Sequence, residues 1–575
     1  MRGLTRIGML IFVSVACACS PGHVPQQLSG TPDAGGSSAD PGPASTPPPV
    51  SDAGPTSPEN PFREMAPIKL AEGPVTGFDV APDRRHVLFS GVLHWYDICR
   101  SRYNGYGALS VGTTSGDIPV DLTVNAVKSS FSSTGGHLAF ISAGNGEYWN
   151  ACSGSGTLSV ARGDGTHLVQ VADFVVDFVF GGDTLYFYAG GVSLMSFFRF
   201  RESDPAPVLL SQAPSPAWTR QSQSFPGYSM APSPGGDAVA YCEPAADYVQ
   251  PRCFLLPAGA DAAAAIPIEG AAQLAWTPDG EWLLAGRIAL SRDGKLRRDF
   301  GETCAMPSPS PDGNAVMFGT GKQYACDGPV VVYPLDGSPV TRLGPLPPGG
   351  YDWSLRFIAG GTQVLAVETT TTGEALFSAP TSGGAFAELR GRADTPGLAG
   401  YEAQADGSVL RFDLSAAQVP ENAQGSWPLL RLRPGQPAET LFPSATSLPA
   451  HEGEGAHAML VQEGWLPPYN GALHLVVPGA PWPGAILPGF VGIGAPSPYR
   501  EAQFNFGFVG RAAVYVTKLT YLVPDGVWDL AVATEDGSLI APLASGLAKF
   551  RAIDHSLYFV KAEDRSLWRL DVPQP

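Results

Sequence analysis

A unit made of an apolar strand, a tight turn and a second, more apolar strand recurs along most of this chain. No other feature restricts its possible folds as strongly. The clearest instances are FDVAPDRRHVLFSG (78–91), SSFSSTGGHLAFIS (129–142), YSMAPSPGGDAVAYC (228–242), LAWTPDGEWLLAG (274–286) and MPSPSPDGNAVMFG (306–319). Weaker copies lie at 177–188, 355–368 and 401–413, and fainter ones at 451–462, 506–517 and 550–561. The eleven turns fall between positions 82 and 553, a step of about 47 residues. Each copy is followed by a third strand and usually a fourth. These are joined by turns such as TSGD, LDGS, TSGG and EDGS, whose glycines suit positive φ. Four antiparallel strands every roughly 40–50 residues is the period of a propeller blade.

Composition agrees. Gly (69) and Pro (56) together exceed one residue in five of 575, which excludes long helices. The second strands HVLF, HLAF, TLYFY, AVAY, WLLA, AVMF, AMLV and AVYV are apolar without alternation. Strands of that kind are covered on both faces, as they are when each sheet is sandwiched between two others. Burial is worth about 1.5–3 kcal/mol per such side chain, so stacking of sheets is the main stabilising term. The expected fold class is all-β, a β-propeller of about eleven four-stranded antiparallel units. Rings of four to eight blades are usual, so the chain forms two rings, the favoured reading, or one large ring. The last unit lacks a fourth strand, and MAPIKLAEG (65–73) reads as an orphan outer strand that pairs with it.

Trp276-Thr277-Pro278-Asp279-Gly280 and Ser310-Pro311-Asp312-Gly313 carry a resemblance to the WD40-like, or PD40, repeats of TolB-type β-propellers. That resemblance implies architecture and little about function. Pro pre-sets φ and Asp-Gly closes the turn, so these acids are expected to be turn formers rather than ligands.

The N-terminus, MRGLTRIGMLIFVSVACACSPG, has a basic start and a short apolar run, as a secretory signal peptide does. Its end resembles a bacterial lipoprotein signal, with Cys19 favoured over Cys17 as the lipidated residue. The resemblance implies sorting to the outer membrane, because Ser20 rather than Asp follows the cysteine. The expected organisation is a signal peptide over 1–19, a disordered Pro/Ser/Ala/Gly-rich tether over 20–65 and a propeller region over 66–575. A net charge of −18 argues against nucleic acid, and the membrane is reached only through the lipid anchor.

Beyond the signal there are six cysteines, an even number that reads as disulfides in an exported chain. Repeat alignment lets Cys242 and Cys253 bridge one hairpin. It places Cys99 and Cys152 in equivalent loops of adjacent units and leaves Cys304 and Cys326 within one unit. No CxxC spacing, HExxH, P-loop, GxSxG elbow or Rossmann fingerprint occurs, and neither metal nor cofactor is expected.

The remaining signal is positional. Loops between second and third strands are long and aromatic in several units. Trp95, Tyr96 and Asp97 in one, and Tyr148, Trp149 and Asn150 in the next, are the candidate ligand-binding residues. Rigid aromatics beside amides and carboxylates suit sugar faces or peptide side chains. The expected function is a cell-envelope lipoprotein whose propeller is a non-catalytic scaffold for envelope proteins, polysaccharide or peptidoglycan. The alternative is a propeller enzyme, a lyase or glycan-acting hydrolase, with its site at the central channel.

Overall fold

The computed structural model describes Phe62 and residues 65–573, except 92–93, 96–104, 143–155, 191–193, 215–228, 244–251, 270–273, 305–306, 322–325, 327, 347–351, 371–372, 391–400, 405, 414–426, 446–449, 452–458, 464–471, 477–483, 489, 491–505, 510, 522–525 and 535. Among the described residues every regular element is a β-strand apart from two short 3-10 turns, Ala262–Ala264 and Ala359–Gly361. The fourth unit shows the plan most simply. Ser229–Pro232, Val239–Glu243, Arg252–Leu256 and Ile266–Ile268 pair antiparallel in chain order. The fifth, sixth and seventh units, which begin at Leu274, Ser308 and Asp352, repeat it. The eighth and ninth join into one sheet through a single pairing, Ala445 with Glu463.

Three long strands each serve two units. Val120–Phe131 pairs first with Gly105–Thr113 and then, past a bulge, with His137–Ser142. Val169–Gly181 passes likewise from Gly156–Arg162 to Thr184–Gly190, and Ile540–Ile553 from Gly526–Ala533 to Ser556–Lys561. Each is the fourth strand of one unit and the first of the next. With these shared strands divided, the pairings among the described residues make eleven consecutive four-stranded units. The last is completed by Ile68–Ala71, antiparallel to Leu567–Asp571, as the orphan-strand reading requires.

The cores lie between units. Leu88 and Val111 pack with Phe131 and Phe140 of the next unit, and Leu158 and Val175 with Phe187 of the one after. Tyr188 packs with Tyr241, Ala240 with Leu283, Leu284 with Phe318 and Met317 with Val364, and so on around the chain. The circuit closes where Val87 and Phe89 of the first unit meet Tyr558 and Val560 of the last. Each of these cores joins chain neighbours or the two ends. Among the described residues these cores run in one succession from the ninth unit through the eleventh to the first and on to the eighth, as a single β-propeller circuit would, and the eighth and ninth units are joined by the Ala445–Glu463 pairing. Among the described residues the middles of the second strands are buried without alternation, and Thr184–Ala189 and Val239–Glu243 are buried throughout, which is the two-sided coverage their composition demands. First strands of successive units touch one another, as Ser229–Pro232 does with both Val169–Gly181 and Leu274–Trp276, so they form the hub and the fourth strands form the rim.

Candidate functional site

Antiparallel order sends the first-to-second and third-to-fourth turns to one end of the propeller. Second-to-third loops and the connections between units go to the other. At the turn end the acids act as expected. The Ser310 hydroxyl donates to Asp312 (2.5 Å), the Asn314 amide donates to Asp312 (3.2 Å), and the Gly313 amide donates to the Ser310 carbonyl (3.0 Å). Thr277 and Asp279 repeat this pattern, with a hydroxyl-to-carboxylate distance of 2.5 Å. Gly313 has φ +78°, and a Cβ there would lie 2.4 Å from the Asp279 carboxyl carbon of the preceding unit. Glycine is therefore fixed there both by its left-handed backbone and by the close stacking of turn on turn.

The loop end holds the candidate residues. Thr76 pins the base of the first unit's loop by donating to the Gly91 carbonyl (2.6 Å). The backbone of His94–Trp95 then extends the ladder against Gly105–Tyr106. Ser142 pairs with Thr157 at the equivalent stem of the second unit. Tyr96, Asp97, Cys99, Tyr148, Trp149, Asn150 and Cys152 lie outside the described residues, as does Cys19.

The loop stem of the fourth unit is closed by the Cys242–Cys253 disulfide, across directly paired residues. Next to it the buried Glu243 pairs with Arg252 (2.9 Å) and accepts a hydrogen bond from Ser211 on the rim of the third unit. Burial pushes the Glu243 carboxyl above its ordinary value, against the pull of Arg252. Burial likewise pushes the Tyr241 phenol up to about 12. The Tyr188 hydroxyl of the third unit donates to the Cys242 carbonyl (2.9 Å), which ties the two units together at this stem. The second disulfide, Cys304–Cys326, joins the connection before the sixth unit to that unit's own second loop. It rests on Gly319, where a Cβ would lie 2.6 Å from the Cys304 sulfur. Sequence reading found both pairs but missed Glu243. Its signal was the Glu243–Arg252 pair flanking the two cysteines at equal offsets.

At the hub, charged side chains pair one unit to the next. Arg551 of the eleventh unit bonds Asp79 of the first (2.9 Å), Lys128 of the second bonds Asp177 of the third, and Arg356 lies over the Tyr401 ring (5.5 Å). These contacts are spread around the circuit. Among the described residues no three His, Cys, Asp or Glu side chains gather as a metal site would need. At the turn end a cleft of about 380 Å³ lies over the closing seam, lined by Arg84, Asp554, His555, Tyr558, Arg569 and Asp571. Its charges are already paired. Arg84 bonds Asp554, and Arg569 bonds Asp571 (2.7 Å) and donates to the Thr114 carbonyl (3.1 Å). The geometry fits a staple across the first and last units.

No family model and no curated protein matches the chain. The PD40 resemblance therefore rests on the turn motifs themselves. Among solved structures, TolB from Acinetobacter baumannii is similar at 13% identity over 52% of this chain and 78% of that one, with a TM-score of 0.20. The β-propeller domain of the Trilobed protease from Pyrococcus furiosus is similar at 12% identity over 60% and 95%, with a TM-score of 0.28. A eukaryotic initiation factor is similar at 12% identity over 65% and 89%, with a TM-score of 0.34. At these TM-scores the propeller assignment rests on this chain's own strand pairing.

Proposed function

We propose that this protein is a binding scaffold of the cell envelope, held by acyl chains on Cys19 and presenting the loop end of its propeller to an envelope protein or glycan. The observation that carries the reading is the set of loop stems. Those of the first, second and fourth units open on the same end of the propeller, from strands largely buried on both faces, and one is clamped by a disulfide. Stems of that kind hold aromatic loops at low ordering cost, which is what recognition by rigid anchors requires. The spread of charge pairs around the hub supports binding over catalysis at the channel.

Capture from envelope extracts by the full chain, repeated with Trp95→Ala and Trp149→Ala, tests the reading. Loss of a captured partner in both variants is the expected result. Undiminished capture would remove these loops from the site. Mass spectrometry of the mature N-terminus tests lipidation of Cys19 separately.

A further inference from the structure

The rims of the eleven units are not alike. Most fourth strands carry a residue that discourages pairing with a foreign strand, such as Pro267, Arg297, Arg342, Arg390, Pro542 or Lys69. The rim segments of the first two units, 120–126 and 169–175, contain no Pro, Lys or Arg, and the rim strand of the third, Val208–Pro214, has only its terminal Pro214. They also hold much of the exposed apolar surface. Phe174 is 69% exposed, Val169 52%, Leu209 46% and Val120 41%.

The first unit's part of this surface meets the units on either side of it. A Cβ on Gly116 would lie 3.1 Å from the Ile68 side chain, and one on Gly165 would lie 3.2 Å from Val120. Four carboxylates lie along it, and each is held by neutral partners. Asp117 accepts from Thr113 (2.7 Å), Asp121 from Ser110 (2.6 Å), Asp164 from Thr166 (2.7 Å) and Asp173 from Thr157 (2.8 Å). Among the described residues no Lys or Arg forms an ion pair with any of the four.

A fourth strand has one edge filled by the third strand and the other open to solvent. An open, apolar edge lined by four carboxylates that make no ion pair among the described residues is complementary to an extended chain of alternating apolar and basic residues. We propose that the rim of the first three units, centred on Val169–Val175, accepts such a segment of a partner protein as an added strand. This surface is separate from the loop end, so it stands or falls independently of the loops.

The test uses the full chain and a fluorescent peptide of roughly ten residues of alternating valine and lysine, about two strand lengths. A peptide with glutamate in place of lysine is the counterpart. Fluorescence anisotropy at low ionic strength should show binding of the lysine peptide only. Val169→Lys, at an exposed position, should weaken it at least tenfold with an unchanged thermal midpoint. Ile486→Lys, on the rim of the ninth unit, should leave binding unchanged. No binding, equal binding of the glutamate peptide, or indifference to Val169→Lys would overturn the proposal. Self-association abolished by Val169→Lys, in place of peptide binding, would assign the rim to a second copy and overturn it as well. So would Val169-dependent co-sedimentation with phosphatidylcholine vesicles in place of peptide binding.

Discussion

The first three units and the fourth to seventh solve one packing problem in two ways. From the fourth unit to the seventh each sheet ends, a connection crosses to the hub, and a new sheet begins. Through the first three units the chain never leaves the strand. Val120–Phe131 and Val169–Gly181 run from the rim of one unit to the hub of the next, and the sheet breaks only at a bulge. Phe174 stands at one such crossing with φ +57°, and Gly546 at the third, in Ile540–Ile553, with φ +68°. A left-handed residue is thus enough to divide two units where no loop does so. The cores between units are of the same kind in both regions. Stacking therefore sets the architecture, and the crossings are interchangeable.

That comparison predicts the largest losses in the cores, wherever they lie. Phe187, fully buried and stacked on Phe198 at 5.2 Å, should cost about 3–5 kcal/mol on Phe187→Ala. Leu283→Ala in the core between the fourth and fifth units should cost about 2–5 kcal/mol. Denaturant unfolding checks both. A loss confined to the continuous region would show that the two regions differ in more than their crossings. The disulfide comes next. Cys242→Ser with Cys253→Ser should cost about 2–3 kcal/mol for so short a loop.

The crossings give smaller effects of opposite sign. Gly546 has nothing within 4 Å of a would-be Cβ, so Gly546→Ala should lose only the left-handed penalty, about 1 kcal/mol. Phe174→Gly relieves that penalty and should shift the midpoint slightly upward. The turns are last. Ser310→Ala removes hydrogen bonds to Asp312 and to the backbone and should cost about 1 kcal/mol.

The turn acids also set the pH response. The hydroxyls of Ser310 and Thr534 hold Asp312 and Asp536 below the ordinary carboxylate range. Their folded-state affinity for protons is lower than in the unfolded chain. The stability they contribute is therefore present above about pH 4 and lost as pH falls through the depressed values. Thermal midpoints measured from pH 6 down to pH 2.5 should drop, and Ser310→Ala should flatten part of the drop.

Most of the architecture was legible because turns and strands are local. Asp312-Gly313 announces its turn, and HLAF announces a strand covered on both sides. The orphan strand near Ile68 was legible because the last unit was one strand short. The crossings were harder. Val120–Phe131 reads as two strands when each unit is expected to end in a loop, although no Pro or Gly interrupts it. The closing staple was hidden for a related reason. Arg84 and Asp554 both adopt left-handed conformations (φ +61° and +49°), Arg84 at the place glycine takes in other turns, and only the closed circuit makes them neighbours. Ring number could not be read, because which unit packs on which is a long-range property of the cores.

The closed circuit is tested most directly at its seam. Ile68 faces Arg569 in the antiparallel register. The double variant Ile68→Cys/Arg569→Cys, oxidised in the folded state and mapped by peptide mass spectrometry, should form an intramolecular cross-link in high yield, while Ile68→Cys with Arg297→Cys should not. If the first combination stays reduced, or the second links equally well, the N-terminal strand does not seal the last unit and the circuit is open.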